Sequence, residues 1–184
     1  MIHRDRRRRD REAGLKAFRR AQAAPQEHDP SAAFKLGQTL SEQGDVEGAR
    51  SAYQQAIDSK DPEYAPAAAF QLGILLGQQD DMEGAKEAYR LAANSVHPEY
   101  SPIAARNLGH VYKRLGRYRQ AVGAYLIAID SGHPDLAPWA MVHLGNLLSG
   151  YVNHSDARAA YQQAIESGHP EAARQAAKRL ADLP

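Results

Sequence analysis

Residues 36–59 read "LGQTLSEQGDVEGARSAYQQAIDS", and residues 72–95 read "LGILLGQQDDMEGAKEAYRLAANS". Leu-Gly, Glu-Gly-Ala, Ala-Tyr and a closing Ser fall at the same places, 36 residues apart. Working outward, Leu-Gly returns at Leu108-Gly109 and Leu144-Gly145. Tyr53 is matched by Tyr89, Tyr125 and Tyr161, and Ala49 by Ala85, Ala121 and Ala157. Ala56 is matched by Ala92, Ala128 and Ala164, and Pro62 by Pro98, Pro134 and Pro170. Several residue types kept in phase over four copies mark a repeat array, and a repeat must be sought before any other organisation.

Each unit divides into two helical stretches. Ala33, Leu36, Gly37 and Leu40 form one stripe at i, i+3, i+4 and i+7, and Ala49, Ala52, Tyr53 and Ala56 form a second. Gln43-Gly44-Asp45, Gln79-Asp80-Asp81 and Leu115-Gly116-Arg117 break the pattern between them. Gly44 and Gly116 suit a left-handed residue closing the first helix, and Asp45 and Asp81 suit caps of the second. Between units lie "SKDPEYAP", "SVHPEYSP" and "SGHPDLAP", whose paired prolines fit a turn and a helix start rather than a helix interior. No stretch alternates with period two over a useful length, so no sheet is expected. The Gly after each Leu is placed to let the second helix of its own unit come close. A mid-helix Gly costs about 1 kcal/mol against Ala, so its presence in all four units implies that close packing outweighs that cost. The four Tyr are the facing knobs, with hydroxyls free to reach water or a backbone carbonyl. One hairpin cannot bury both of its apolar stripes, so neighbouring units must stack.

Leu-Gly-x2-Leu/Tyr followed by Ala-x3-Tyr, with Pro ending the unit, resembles the tetratricopeptide repeat. Ala33, Ala69, Ala105 and Met141 stand where that pattern has Trp. Tyr112 matches its first Tyr, which Leu40, Leu76 and Leu148 replace, and the four second-helix Tyr stand in for Phe. The period of 36 is two residues longer than usual and is similar to the Sel-like branch of the superfamily. The resemblance covers residues 30–182. It implies an all-α, right-handed α-solenoid of stacked antiparallel helix hairpins, whose first helices line a concave groove that takes an extended or helical peptide.

The ends are irregular. Residues 12–21, "EAGLKAFRRA", align with the second helix of a unit if Phe18 takes the Tyr slot, one residue out of phase. At the other end Leu180 takes the Leu slot and Arg174 the place held by Pro66, Pro102 and Pro138, which reads as a polar closing helix. The expected divisions are a basic segment over 1–11, a half repeat and turn over 12–29, repeats over 30–65, 66–101, 102–137 and 138–169, and a closing helix over 170–184.

The formal net charge is +1, which gives the chain no general bias toward polyanions. It is unevenly spread: residues 1–20 hold nine Arg/Lys against three acids. The run "HRDRRRRDRE" from His3 to Glu12 reads as a solvated helix start, as a grip for an acidic partner, or as a nucleic-acid contact. No aromatic residues interleave with it, which weakens the single-strand reading. The sequence has no Cys, so thiolate ligands, Cys nucleophiles and disulfides are excluded. It has no apolar stretch of the length that spans a bilayer, and no signal-like apolar region at its start. A cytoplasmic protein is expected, and the Arg- and Ala-rich composition hints at a bacterial source.

The search for chemistry finds little. His97, His133 and His169 recur in the inter-unit turns, but stacked repeats stand roughly 10 Å apart, too far for one ion, and Asp61 fills the same slot. That slot reads as capping. Asp80, Asp81, Glu83, Glu42 and Glu47 sit at helix starts and turns, where acids complement the helix dipole. No Ser lies in a nucleophile elbow and no glycine loop cradles phosphate. The expectation is a non-enzymatic scaffold without cofactor or metal that binds a protein or peptide.

By the resemblance, the groove slots are Phe34, Lys35 and Gln38 in the first unit and Phe70, Gln71 and Ile74 in the second. The third unit supplies Arg106, Asn107, His110, Lys113 and Arg114, and the fourth Val142, His143, Asn146 and, if exposed, Trp139. These slots vary between units while the packing slots do not. Recognition would produce that variation, and so would drift at solvated positions. The basic third unit suits an acidic or carboxylate-bearing peptide, with an apolar anchor near Phe34 or Phe70. The carboxylate clamp of some family members begins where this chain has Phe34 and Gln38, so it is not carried over. The alternative is self-assembly, with the face around Leu15 and Phe18 forming a homodimer. RNA binding through the Arg run is the weaker alternative, and no membrane partner is expected.

Overall fold

The computed structural model describes residues 29–151 and 154–184. The expected basic segment and half repeat, with Leu15 and Phe18, lie outside the described residues. Nine helices are described: α1 (Pro30–Glu42), α2 (Val46–Asp58), α3 (Tyr64–Gln78), α4 (Met82–Ala93), α5 (Tyr100–Arg114), α6 (Tyr118–Asp130), α7 (Leu136–Ser149), α8 (His154–Glu166) and α9 (Pro170–Ala181). No strand occurs among the described residues, and no described helix is long and apolar enough to cross a membrane. The first eight form four antiparallel hairpins and α9 closes the stack. Each helix packs on its chain neighbours. First helices also pack on first helices from hairpin to hairpin, whereas second helices make no comparable contact with one another. The first helices therefore form the inner layer of an α-solenoid.

Inside each hairpin the turn follows from one left-handed residue. Gly44 and Gly116 hold φ of +80° and +70°, and Asp80 takes the equivalent place at +61°. Asp45 then caps α2, its Oδ1 accepting from Gly48 N at 3.0 Å, and Asp81 caps α4, accepting from Gly84 N at 2.8 Å.

The turns between hairpins are built on the recurrent His/Asp slot. Asp61 Oδ1 accepts from Glu63 N and Tyr64 N at 3.0 and 2.9 Å. His97 Nδ1 accepts from Glu99 N and Tyr100 N, both at 3.2 Å, and His133 Nδ1 from Asp135 N and Leu136 N at 3.2 and 3.4 Å. His169 Nδ1 accepts from Ala172 N at 3.2 Å. In each case a proline follows the cap, where its missing N–H leaves no donor unsatisfied. With Nδ1 accepting, the ring proton sits on Nε2, and His97 Nε2 lies 3.3 Å from Glu63 Oε2 of the preceding turn. Pro66, Pro102 and Pro138, expected at the unit boundaries, lie inside the first turns of α3, α5 and α7.

The core is a column of glycines against a column of tyrosines. A Cβ placed on Gly37 would lie 2.5 Å from Tyr53 Cδ1, one on Gly73 2.6 Å from Tyr89 Cδ1, and one on Gly145 2.5 Å from Tyr161 Cε1. Gly109 meets Tyr125 in the same way. Around them Ala49, Ala56, Ala85, Ala92, Ala121, Ala128, Ala157 and Ala164 are fully buried, so the helices approach as closely as methyl groups allow. Leu72, Leu108 and Leu144 are buried, but Leu36 is 50 % exposed. It lies on the first described helix, with no described helix on its outer side. At the other end α9 buries Ala172 and Ala176 and leaves Arg174 outside, 3.4 Å from Glu171.

Candidate functional site

The inner layer carries the slots that vary from repeat to repeat, and the structure sorts them into two kinds. Phe34, Phe70 and Val142 are equivalent positions, and they face the junction with the next hairpin rather than the groove, while Arg106 at the same slot is half-buried beside His110 and His143. Phe34 packs between Tyr53 and Tyr64, with ring centroids 6.2 and 6.0 Å away. Phe70 packs likewise between Tyr89 and Tyr100, at 6.0 and 5.7 Å. Val142 is 1 % exposed, within the cluster formed with Tyr161, Ala172 and Ala176. Its expected groove role is corrected: it is a core residue, because the following second helix and α9 close over its slot. Trp139 is half-buried against the same cluster and lies 6.2 Å from the His169 ring.

The slots one and four residues further along each first helix reach the surface of the inner layer. Ile74, Asn107, His110 and Arg114 come together in a cavity of about 340 Å³ between α3 and α5. Gly77, Gln78, Met82, Tyr89 and Val111 complete its lining, none of which the repeat pattern marks as groove residues. Arg114 is tied to Asp80 across the hairpins at 2.8 Å, and Arg117 to Glu83 at 2.7 Å. Lys113 and Asn146 are brought to a second cavity near the closing helix. Lys35, Gln38 and Gln71 line neither cavity.

Two of the core tyrosine hydroxyls meet side chains of the facing first helix. Tyr161 donates to Asn146 Oδ1 at 2.9 Å, and the Tyr125 hydroxyl lies 3.2 Å from His110 Nδ1. Asn146 and His110 occupy the same slot in successive repeats, so this position is both a partner of the core tyrosine and part of the inner surface.

Between α5 and α7 the inner surface is basic and partly dehydrated. The His110 and His143 rings meet edge to face at 4.4 Å, with Trp139 stacked on His143 at 6.3 Å. Burial, reinforced by His110, Arg106 and Lys113, pulls His143 down to about 4. Burial, reinforced by Arg106 and Lys113, lowers His110 as well, and burial lowers Arg106. Tyr125 is pushed up to about 12 by burial, with Arg106 opposing. Both histidines are therefore neutral at pH 7, and Arg106 and Lys113 supply the positive charge.

Residues 21–149 match the family described as the tetratricopeptide repeat-like domain. The chain belongs to that family. A search of curated protein sequences finds no match. Solved structures share the fold. The crystal structure of MamA superposes with a TM-score of 0.64 at 21% identity, covering 92% of this chain and 95% of MamA. PilF of Pseudomonas aeruginosa gives 0.61 at 22% identity, covering 84% of this chain and 67% of PilF. The N-terminal domain of stress-induced protein-1 from C. elegans gives 0.55 at 22% identity, covering 64% of this chain and 94% of that domain.

Proposed function

We propose that this protein is a non-catalytic binding module that holds a segment of a partner protein along its inner layer of helices. The observation that carries the reading is the cavity between α3 and α5. It offers an apolar floor of Ile74, Met82, Tyr89 and Val111, with the polar groups of Asn107 and Arg114 beside it. Such a pairing suits an apolar side chain whose flanking backbone is held by hydrogen bonds. The family generally binds proteins or peptides, which supports this reading. The basic surface around Arg106 and Lys113 favours a segment with acidic residues next to its apolar anchor.

Selection of peptides from a random display library tests this. The expected result is an enriched set with a common apolar residue, losing binding by about a hundredfold, the effect of one hot-spot anchor, in Ile74→Arg. Enriched peptides that bind Ile74→Arg and the parent equally contradict the reading. Self-association is the second reading, favoured by the exposure of Leu36 at a position buried in the other repeats. Light scattering over a concentration series tests it: a dimer lost in Leu36→Asp supports it, and a monomer at all concentrations contradicts it.

A further inference from the structure

The outer face of α6 departs from the pattern of the other second helices. Val122 takes a slot that holds Arg50, Lys86 and Arg158 in the other three hairpins. Leu126 takes the slot of Gln54, Arg90 and Gln162, and Ile127 that of Gln55, Leu91 and Gln163. Leu126 and Ile127 are 43 % and 44 % exposed, and Val122 is half-buried. Val122 and Leu126 are one turn apart, and Gly123 and Ile127 lie beside them, also one turn apart, so the four form a single apolar ridge. Gly123 makes room for nothing in its own hairpin. A Cβ placed there meets no atom within 4 Å among the described residues, unlike those of the Leu-Gly pairs, which fall on a tyrosine. Glycine inside a helix is unfavourable against alanine, so one that nothing within the fold requires, set in an exposed apolar ridge, points to contact with another molecule. At the two ends of the same face stand Arg119 and Asp130, both exposed and neither in an ion pair among the described residues.

We propose that the outer face of α6 pairs with α6 of a second copy of this chain, antiparallel and about a two-fold axis. The sequence of α6 is complementary to itself in that arrangement. With the axis passing between positions 124 and 125, Gly123 faces Leu126 of the second copy, Val122 faces its Ile127, and Arg119 faces its Asp130. Each contact occurs twice, as a two-fold interface requires, and the pairing stops at a dimer. Leucine enters the space that glycine leaves, which brings the helices toward the short end of the usual separation of about 8–10 Å. Opposite charges close both ends of the contact. The same register in α2 sets Glu47 against Asp58, and in α4 and α8 it sets Lys86 against Leu91 and Arg158 against Gln163. Among the described second helices, α6 alone combines an apolar centre with opposite charges at its ends. The pairing rests neither on the groove reading nor on the face around Leu36. It engages the outer layer, so the inner layers of both copies stay open and point away from each other.

Sedimentation equilibrium of the whole chain over a concentration series tests the pairing. A reversible dimer is expected, weakened about a hundredfold by Leu126→Arg, the effect of losing a central anchor. Arg119→Asp and Asp130→Arg each set like charges face to face at both ends and should weaken it about tenfold. The double variant Arg119→Asp/Asp130→Arg restores opposite charges and should return to within about threefold of the parent. Gln162→Arg, at the equivalent outer position of α8, leaves the dimer unchanged. All of these positions are exposed, so each variant should keep the helical circular dichroism of the parent. A monomer at every concentration, a dimer indifferent to Leu126→Arg, or a double variant no stronger than either single one would each overturn the proposal. A dimer lost in Leu36→Asp and kept in Leu126→Arg overturns it in favour of the face around Leu36.

Discussion

At the scale of the residue, His143 shows how the inner layer bears on stability. It is flanked by His110, Arg106 and Lys113 from α5, Tyr125 from α6 and Trp139 from its own helix, and its imidazole stays neutral down to about 4. In the unfolded chain it titrates near 6.5. Above that pH neither state carries the proton and the stability does not change. Between the two values the unfolded chain binds a proton that the folded chain refuses, so stability falls as the pH falls, by at most about 1.4 kcal/mol per pH unit for this group. His110 is shifted in the same direction and adds to the slope. Urea unfolding at pH 7, 6 and 5 should show the decline in the parent and a flatter line in His143→Asn; parallel lines contradict the assignment. His143 was legible in the sequence as an inner-layer residue, because it stands next to Leu144-Gly145. Val142 was not correctly read, because the burial of its slot depends on how far the next hairpin rotates over it, which no spacing within one repeat encodes.

At the scale of the element, the inter-hairpin turns rest on a side chain that accepts two backbone N–H groups. His133 does this for α7 and Asp61 for α3. His133→Ala leaves those donors to water and should cost about 1 kcal/mol, while His133→Asp, which copies the first repeat, should cost little. Thermal unfolding of the two variants decides: equal losses from Ala and Asp contradict the capping role. The helices and their caps were readable because cap, proline and apolar stripe are local signals that recur in register. The tyrosine hydroxyl partners were not, since His110 and Asn146 sit fifteen residues before Tyr125 and Tyr161 on the facing helix. A repeat pattern shows that such positions face each other only after the hairpin geometry is known. The second cavity, near α9, was less legible still, because His154, Arg179 and Lys113 line it from three helices and share no motif.

At the scale of the whole molecule, stability in a stack of this kind is a sum of hairpins and of the interfaces between neighbours. The Gly-Tyr contact is the step repeated in all four hairpins, and it sets the separation on which the inner layer and its cavities depend. Helix propensity and close packing make opposite forecasts for it. Replacing a mid-helix Gly by Ala in open space would stabilise the chain by about 1 kcal/mol. In this fold the new Cβ falls on the face of a buried tyrosine that is 1 % exposed in the third hairpin, and overpacking of that kind costs typically about 1–3 kcal/mol. The most direct measurement is therefore the thermal unfolding curve of Gly109→Ala beside that of the parent. The account predicts a lower midpoint for the variant, and a midpoint at or above the parent's would contradict it.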